Sequence, residues 1–520
     1  MPDPLRLHDT RQGELVAFEP LVEGRVGMYV CGPTVYSPAH LGNCRTFVGF
    51  DVVFRTLRYL GYRVRYVRNV TDVGHLLDDG EDRMARGARL AQLEPMEVAQ
   101  MHTVGFHGML ARLNCLPPSI EPRATGHVPE QIAMIREILA NGLAYVVDGS
   151  VYFDVPAYLA RHDTYGSLSG RKVDDLLAET RDLAGQGDKR HPADFALWIK
   201  AGPDVLQKWE AEWSTGFPGW HLECSAMSRK YLGEAFDLHG GGADLKFPHH
   251  ENEIAQNEAA CGHTGARYWL HANMLLLNGR KMSKSEGNSI SPDELFAGTS
   301  PHVSKGYSPM VVRFFFLQAH YGSPLNMNDE ALGAAERGYR RLMDALARAR
   351  ELAAGAASAQ TAPAQRDEAD APAGDAPRTP LETELADALA AARAHLLDDF
   401  NTPRALAGLF EVAGLVNATR DGHRDAADLT PARYAGLLAE FERLVGEVLG
   451  LTDDRAGGEA PGADPGAPDR LGALVELLIG LRAQSRADRD YAMSDRIRDE
   501  LAALGIELQD GKDGTTFSLS

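Results

Sequence analysis

The sequence predicts an α/β protein organised on a parallel sheet, and three local patterns predict it. Val26 to Val30 forms a short apolar strand that runs into the polar loop 31–43. Phe47, Phe50, Phe54, Leu57 and Leu60 then recur at helical spacing over 44–60, and Gly61 marks a stop. Tyr62 to Val70 alternates as a half-buried strand does. Strand, loop, helix and strand in that order make a βαβ unit, the start of a Rossmann-like domain whose ligand site lies at the loop before the helix. His40 and Asn43 stand in that loop, where helical N–H groups and the helix dipole favour an anion.

The rest of the chain follows in order. Residues 121–191 hold a helix at 129–140, strands at Ala144–Val147 and Val151–Asp154, and a polar run over 161–190, which together read as an insertion splitting the α/β domain of 1–120 and 192–278. The sheet pattern returns from 192 and ends in Trp269 to Leu277. Gly279 to Asn288 is polar and basic at its centre, as a loop contacting phosphates would be, and opens a region 279–350 that turns helical beyond Pro309. Two stretches, 351–380 and 451–469, are rich in Ala, Pro, Gly and Asp without apolar period and read as linkers. Between them, 381–450 carries Leu/Ala-rich helical patterns. The last segment, 470–520, has a helix pair over Leu471 to Leu504 and a β-like tail turning at Asp513-Gly514.

Composition bounds the function. A chain of 520 residues exceeds one hydrophobic core, so three or four domains are expected. The net charge of −20 argues against indiscriminate binding of nucleic acid and leaves room for a specific RNA partner. The start Met1-Pro-Asp-Pro-Leu-Arg has no apolar signal core and no run approaches a membrane span, so a cytoplasmic location without a membrane partner is expected. Cysteines 31, 44, 115, 224 and 261 are too few for a disulfide framework and suit free thiols or metal ligands.

Three potential ligands fall at 220–253. Cys224 supplies a thiolate, and His249 and Glu253 share one face if 249–260 is a helix. Cys31, closing the first strand, is the best fourth candidate, and two thiolates with one imidazole and one carboxylate suit zinc. The same residues also fit a buried small hydrophobe and a surface i,i+4 pair, and spacing alone leaves both readings open. A metalloprotease is excluded, because Ile254 stands where H-E-x-x-H needs its second histidine. Gly240, Gly241 and Gly242 are expected to let a nucleotide approach the backbone. No G-x-S-x-G, Walker loop or convincing G-x-G-x-x-G is present, which disfavours hydrolase, P-loop and dinucleotide readings. Lys281 and Lys284 would instead place two charges over a triphosphate.

His40-Leu-Gly-Asn43 after a first strand and Lys281-Met-Ser-Lys-Ser285 far downstream resemble the two signatures of class I aminoacyl-tRNA synthetases. Met28-Tyr-Val-Cys-Gly-Pro-Thr-Val-Tyr36, Arg68-Asn-Val-Thr-Asp72, Gly219-Trp-His-Leu-Glu-Cys-Ser-Ala-Met227, His239-Gly-Gly-Gly-Ala-Asp244 and Phe247-Pro-His-His-Glu-Asn-Glu253 narrow the resemblance to cysteinyl-tRNA synthetases. Asp399-Phe-Asn-Thr-Pro403 and Ala492-Met-Ser-Asp-Arg-Ile-Arg-Asp-Glu-Leu501 extend it over nearly the whole chain, linkers excepted.

That resemblance implies a HUP-type Rossmann-like catalytic domain with an inserted connective domain, a helical bundle and a small C-terminal anticodon-binding domain. It implies one zinc ion per chain on Cys31, Cys224, His249 and Glu253, which takes the thiolate of L-cysteine. Thr71 and Trp220 would line the amino-acid pocket. ATP with Mg²⁺ would react at His40, Asn43, Lys281 and Lys284, with Gly240, Gly241 and Asp244 also touching the nucleotide and Asp244 meeting its ribose. The cysteinyl group would pass to tRNA(Cys), the enzyme acting as a monomer. Arg482, Arg486, Arg489, Arg496 and Arg498 could meet tRNA phosphates or bases. Asn43 departs from the family, which usually has a second histidine there, and asparagine keeps an N–H donor without a titratable charge. Two alternatives stand beside this reading: a ligase joining cysteine to a small amino-sugar acceptor, and a non-catalytic RNA-binding protein of synthetase descent.

Overall fold

A computed structural model describes residues 4–73, 93–170, 189–203, 205–282, 287–361, 378–455, 470–487, 490–503, 506–511 and 514–519. At its centre four parallel strands lie in the order Gly265–Ala272, Ala235–Gly242, Arg25–Val30 and Arg63–Arg68. Helix Leu41–Tyr59 carries the chain from Arg25–Val30 outward to Arg63–Arg68, and helix Glu251–Cys261 carries it the other way, from Ala235–Gly242 to Gly265–Ala272. The direction therefore switches between Arg25–Val30 and Ala235–Gly242, and Cys31 and Gly242 leave the carboxyl ends of those two strands. A crevice opens at such a point in α/β sheets.

The expected first unit is present. Phe47, Phe50, Phe54 and Leu57 are buried, so the helical stripe read from the sequence is the face packed on the sheet. The same helix is pinned at mid-length by charge. The fully buried guanidinium of Arg313, on helix Pro309–Leu317, lies 2.5 Å from Asp51 and donates to the carbonyls of Leu449 and Leu113 at 2.7 Å each. Arg55 approaches the same carboxylate at 2.7 Å. One carboxylate and several carbonyl dipoles thus compensate two buried cations, which is how such groups avoid a large desolvation penalty.

The insertion extends further than its composition suggests. Ala144–Val147, Ser150–Phe153, Phe195–Lys200, Thr215–Pro218 and Trp209–Glu210 form, in that order, a separate five-stranded antiparallel sheet. The sheet pattern that resumes at 192 thus belongs first to the insertion, and the parallel sheet resumes only at Ala235. A continuous apolar strand such as Phe195–Lys200 does not reveal which sheet it joins. Most of the polar run, 171–188, lies outside the described residues.

The helical region packs directly on the sheet's core. Leu385, Leu389, Leu396, Leu406 and Leu409 belong to the same buried cluster as Phe47, Phe50 and Leu57. By packing, the chain divides into two compact units, Met1–Gly458 and Glu459–Ser520, because the helices continue the sheet's core. The motif beginning at Asp399 closes this region. Asp399 accepts from the His8 N–H at 2.9 Å and the Tyr321 hydroxyl at 2.8 Å, while Asn401 caps helix Thr402–Arg420. The second unit has helices Arg470–Ala487 and Tyr491–Ala503 and the hairpin Ile506–Gly511 with Gly514–Leu519. Its Arg482 is buried at 2% exposure, which removes it from the expected nucleic-acid surface. Arg486, Arg496 and Arg498 are exposed, and Arg489 lies outside the described residues.

Candidate functional site

Four elements bring the predicted ligands together. Cys31 follows its strand, Cys224 sits on helix Leu222–Leu232, and Glu253 lies in the first turn of helix Glu251–Cys261. His249 comes from the wound segment Lys246–His250 just ahead of that helix, so the expected helix at 249–260 begins two residues later. The four donor atoms all lie within 4.8 Å of one another, and all four residues are buried. Cys31 Sγ is 3.5 Å from Cys224 Sγ, from His249 Nε2 and from Glu253 Oε1, and His249 Nε2 is 3.2 Å from Glu253 Oε1.

Further histidines surround the cluster. His221 Nδ1 meets His249 Nδ1 at 2.9 Å, which leaves Nε2 of His249 turned to the thiols. His239 Nε2 is 3.5 Å from Cys31 Sγ, and His250 Nδ1 is 2.8 Å from His271 Nε2. Sequence reasoning missed these partners, although His221, His239 and His250 all stand inside the motifs it quoted. A histidine next to a predicted ligand was the available signal.

Burial governs the charge state of the set. It pushes the Cys31 thiol and the Glu253 carboxyl well above their ordinary values and Cys224 up to about 12, and it pulls His221 and His239 down to about 3. Burial thus disfavours the charged form of each of these five groups. Glu253 Oε2 and His250 Nε2 are buried without a hydrogen-bond partner among the described residues, a costly state for polar atoms. Two sulfurs, an imidazole and a carboxylate around these orphaned atoms fit zinc, whose charge would favour the ionised thiols and carboxylate.

Beside the cluster opens a cavity of about 840 Å³, whose wall includes Cys31, Trp220 and His221 as well as His40, Asn43, Asp244 and Lys281. Trp220 packs its ring 4.8 Å from that of His249. His40 is the N-cap of helix Leu41–Tyr59, where its Nδ1 accepts from the Asn43 N–H at 3.3 Å while Asn43 Oδ1 accepts from the His40 N–H at 3.0 Å. Asn43 therefore completes a reciprocal cap, with its amide nitrogen left as the donor end. No acidic residue occupies the first turn, so the positive end of the helix is uncompensated by its own side chains.

The second signature meets the first at this point. A Cβ built on Gly42 would lie 2.9 Å from the His40 ring and 3.8 Å from the Met282 methyl. Lys281 is carried there by a tight hairpin of Leu275–Leu277 and Arg280–Lys281, whose turn residues Asn278 and Gly279 have φ of +52° and +77°. Asn-Gly between apolar and basic residues is a sequence signal for such a turn, which the reading of 279–288 as one loop passed over. Lys284 lies outside the described residues.

Three expected contacts are placed differently. A Cβ on Gly240 would lie 2.2 Å from the Phe50 ring and one on Gly241 2.8 Å from His250, so these glycines are demanded by packing inside the protein and neither lines the cavity. Gly242 and Asp244 do line it. Thr71 is buried at 3% exposure and its hydroxyl binds Glu223 and Asn69, so it supports the wall from behind.

Comparison with known proteins agrees with this geometry. Residues 17–337 match the family of tRNA synthetases class I (C) catalytic domain, and residues 392–453 match the DALR domain. The chain is 46% identical over 523 residues to a cysteine–tRNA ligase of Porphyromonas gingivalis, with all of both chains covered. It is 47% identical over 521 residues to that of Deinococcus radiodurans, covering 99% of this chain and 97% of the relative. Among solved structures, a methionyl-tRNA synthetase of Mycobacterium tuberculosis in complex with methionyl-adenylate superposes with a TM-score of 0.58 at 16% identity, over 82% of this chain and 92% of that one, a likeness of fold.

Proposed function

Because the chain belongs to the cysteine–tRNA ligases, class I aminoacyl-tRNA synthetases, we infer that it activates L-cysteine with ATP and transfers the cysteinyl group to tRNA(Cys), with one zinc ion selecting the substrate thiolate. The observation that carries the zinc-dependent part is the buried quartet adjoining a cavity whose wall also holds the helix entrance and Lys281.

Cysteine's carboxylate attacks the α-phosphorus of ATP, the pyrophosphate leaves, and the terminal adenosine of the tRNA then takes the cysteinyl group from the adenylate. His40, the amide nitrogen of Asn43 and the helix entrance hold the triphosphate, while Lys281 and Lys284 neutralise the charge gathering on the leaving group. Mg²⁺ accompanies the ATP. Asp244, exposed on the cavity wall, is assigned to the ribose. Cys31, Cys224, His249 and Glu253 would hold zinc. Bound there, zinc would supply a Lewis acid that favours a thiolate over the hydroxyl of serine. Shape alone separates such analogues by only about 1–3 kcal/mol, so this chemistry makes an editing site unnecessary. Trp220 closes the pocket against the side chain.

The helical bundle 381–450 and the segment 470–520 are assigned to the tRNA. No helix among the described residues is long and apolar enough to cross a membrane, in keeping with work in the cytoplasm. One chain carries every assigned site residue, as a monomer requires.

The test is cysteine-dependent exchange of pyrophosphate into ATP, with serine as control, beside charging of a total tRNA pool. Exchange and charging together are expected. Exchange without charging would move the reading to a small-molecule cysteine ligase, and absence of both would point to a binding protein.

A further inference from the structure

The cluster around Cys31 contains a second complete ligand set. Cys31, His239, His250 and Glu253 also bring four donor atoms within 4.8 Å of one another, all buried, and share only Cys31 and Glu253 with the first set. His239 Nε2 is 3.5 Å from both Cys31 Sγ and Glu253 Oε1, and His250 Nε2 is 3.9 Å from Glu253 Oε1.

Both rings are held for this. His239 stacks on Trp269 at 4.2 Å between centroids. His250 Nδ1 is tied to His271 Nε2 at 2.8 Å, and His271 Nδ1 in turn meets Thr10 Oγ1 at 2.9 Å, a chain that turns Nε2 of His250 to the cluster. Metal-binding histidines are oriented in this way, by a hydrogen bond at the other ring nitrogen. Among the buried atoms of the region without a hydrogen-bond partner, His250 Nε2 belongs to the second set alone and Glu253 Oε2 to a residue of both sets. Buried polar atoms without partners call for a ligand between them, and a divalent cation satisfies both.

We propose that the site has two stations for a divalent ion of the zinc class, the second formed by Cys31, His239, His250 and Glu253. The proposal rests on the reading that the cluster binds zinc. The first station offers two thiolates and the second only one, so the second is the harder site and holds the ion less tightly. Of either station's residues only Cys31 reaches the cavity wall, but the first station's His249 packs on Trp220, which lines the cavity, whereas the second station's His239 stacks on Trp269, which does not. An ion at the second station is withdrawn from the substrate, and metal content and selection of cysteine become separable properties.

Cobalt(II) loaded in place of zinc tests this, because the intensity of its thiolate charge-transfer absorption follows the number of sulfur ligands. The native protein is expected to bind one cobalt with a two-thiolate band. Cys224→Ser, its folding checked by circular dichroism, is expected to keep one cobalt per chain with about half that intensity. Adding His250→Ala to Cys224→Ser is expected to weaken cobalt binding at least about a hundredfold, while His250→Ala alone leaves the native band in place. If Cys224→Ser does not fold, the pair His249→Ala and His249→Ala with His250→Ala gives the same comparison. A folded Cys224→Ser protein that binds no cobalt, or one whose binding is indifferent to His250→Ala, overturns the second station and leaves the first intact. A native protein without the two-thiolate band overturns the zinc reading itself.

Discussion

One cavity is walled by two regions built in opposite ways. Cys31, Cys224, His249 and Glu253 are exposed by at most 5%, and their atoms come from separate elements that the core holds in place. His40 and Lys281 are exposed, and the groups that act there are a helix end, its cap and a surface cation. The difference fits the two tasks proposed for these regions. Telling a thiol from a hydroxyl needs donors of fixed identity in a dry setting, where a soft metal can discriminate. Steadying a triphosphate, which is already charged, needs only positive ends aimed at it. The first region is therefore intolerant of substitution at single atoms, and the second is graded.

The sharpest test of that contrast is Cys31→Ser, which removes one of the two donors common to both ligand sets. Zinc content is expected to fall to near zero and cysteine-dependent exchange to drop by more than about a hundredfold, since loss of a ligand exceeds loss of its supporting partners. Metal analysis beside the exchange assay checks this, and a zinc-replete Cys31→Ser protein would dissolve the comparison. Lys281→Ala acts on the other region. Its exchange rate is expected to fall by about 10²–10³, with one zinc still bound and the preference for cysteine over serine kept.

Gly240→Ala distinguishes packing from nucleotide contact. With its Cβ only 2.2 Å from the Phe50 ring, the variant is expected to lose about 1–3 kcal/mol of stability in denaturant unfolding while the folded fraction keeps its KM for ATP. A raised KM at unchanged stability would return this glycine to the ATP site. Asn43 gives the smallest effect. Asn43→Ala removes half of the reciprocal cap and is expected to cost about 1 kcal/mol, whereas Asn43→His is expected to leave kcat within about tenfold. A change of several orders of magnitude in exchange would show that Asn43 carries more than a donor and a cap.

The metal region also makes a prediction about pH. Burial raises Cys31 well above the ordinary thiol value and Cys224 to about 12, so both thiols are protonated at pH 7.5 and ionise when the cation enters. Zinc uptake is then expected to release at least the protons of both thiols, and affinity to fall as pH falls. Titration of the stripped protein in weak buffer measures the release. Uptake without proton release would mean that the thiols do not bind.

The quartet of candidate ligands was legible because few residue types bind zinc and His249 and Glu253 stand four apart, with the family resemblance completing the set that spacing alone left open. The first βαβ unit was legible because Phe47, Phe50, Phe54 and Leu57 follow the helical period without interruption. What lay beyond reach was tertiary. That Phe195–Lys200 joins the insertion is decided by pairing with Ser150–Phe153 across a long stretch of chain, which no local period encodes. That Gly240 and Gly241 serve Phe50 and His250 depends on a helix and a loop from elsewhere in the fold. Thr71 was read as facing the pocket only through the family resemblance, which carries a position and not a side-chain direction, and its hydroxyl turns to Glu223. The bundle's union with the catalytic core was hidden by the linker composition ahead of it, since a boundary in sequence is not a boundary in packing.

The most direct measurement is the ratio of cysteine-dependent to serine-dependent pyrophosphate exchange in the zinc-loaded and the zinc-stripped protein. A ratio above about 10⁴ with zinc, and a loss of cysteine-dependent exchange by at least about a hundredfold without it, is the result expected from a metal that selects the thiolate. An unchanged ratio after stripping, in protein shown to be free of zinc, would contradict that role and leave the discrimination to the shape of the pocket.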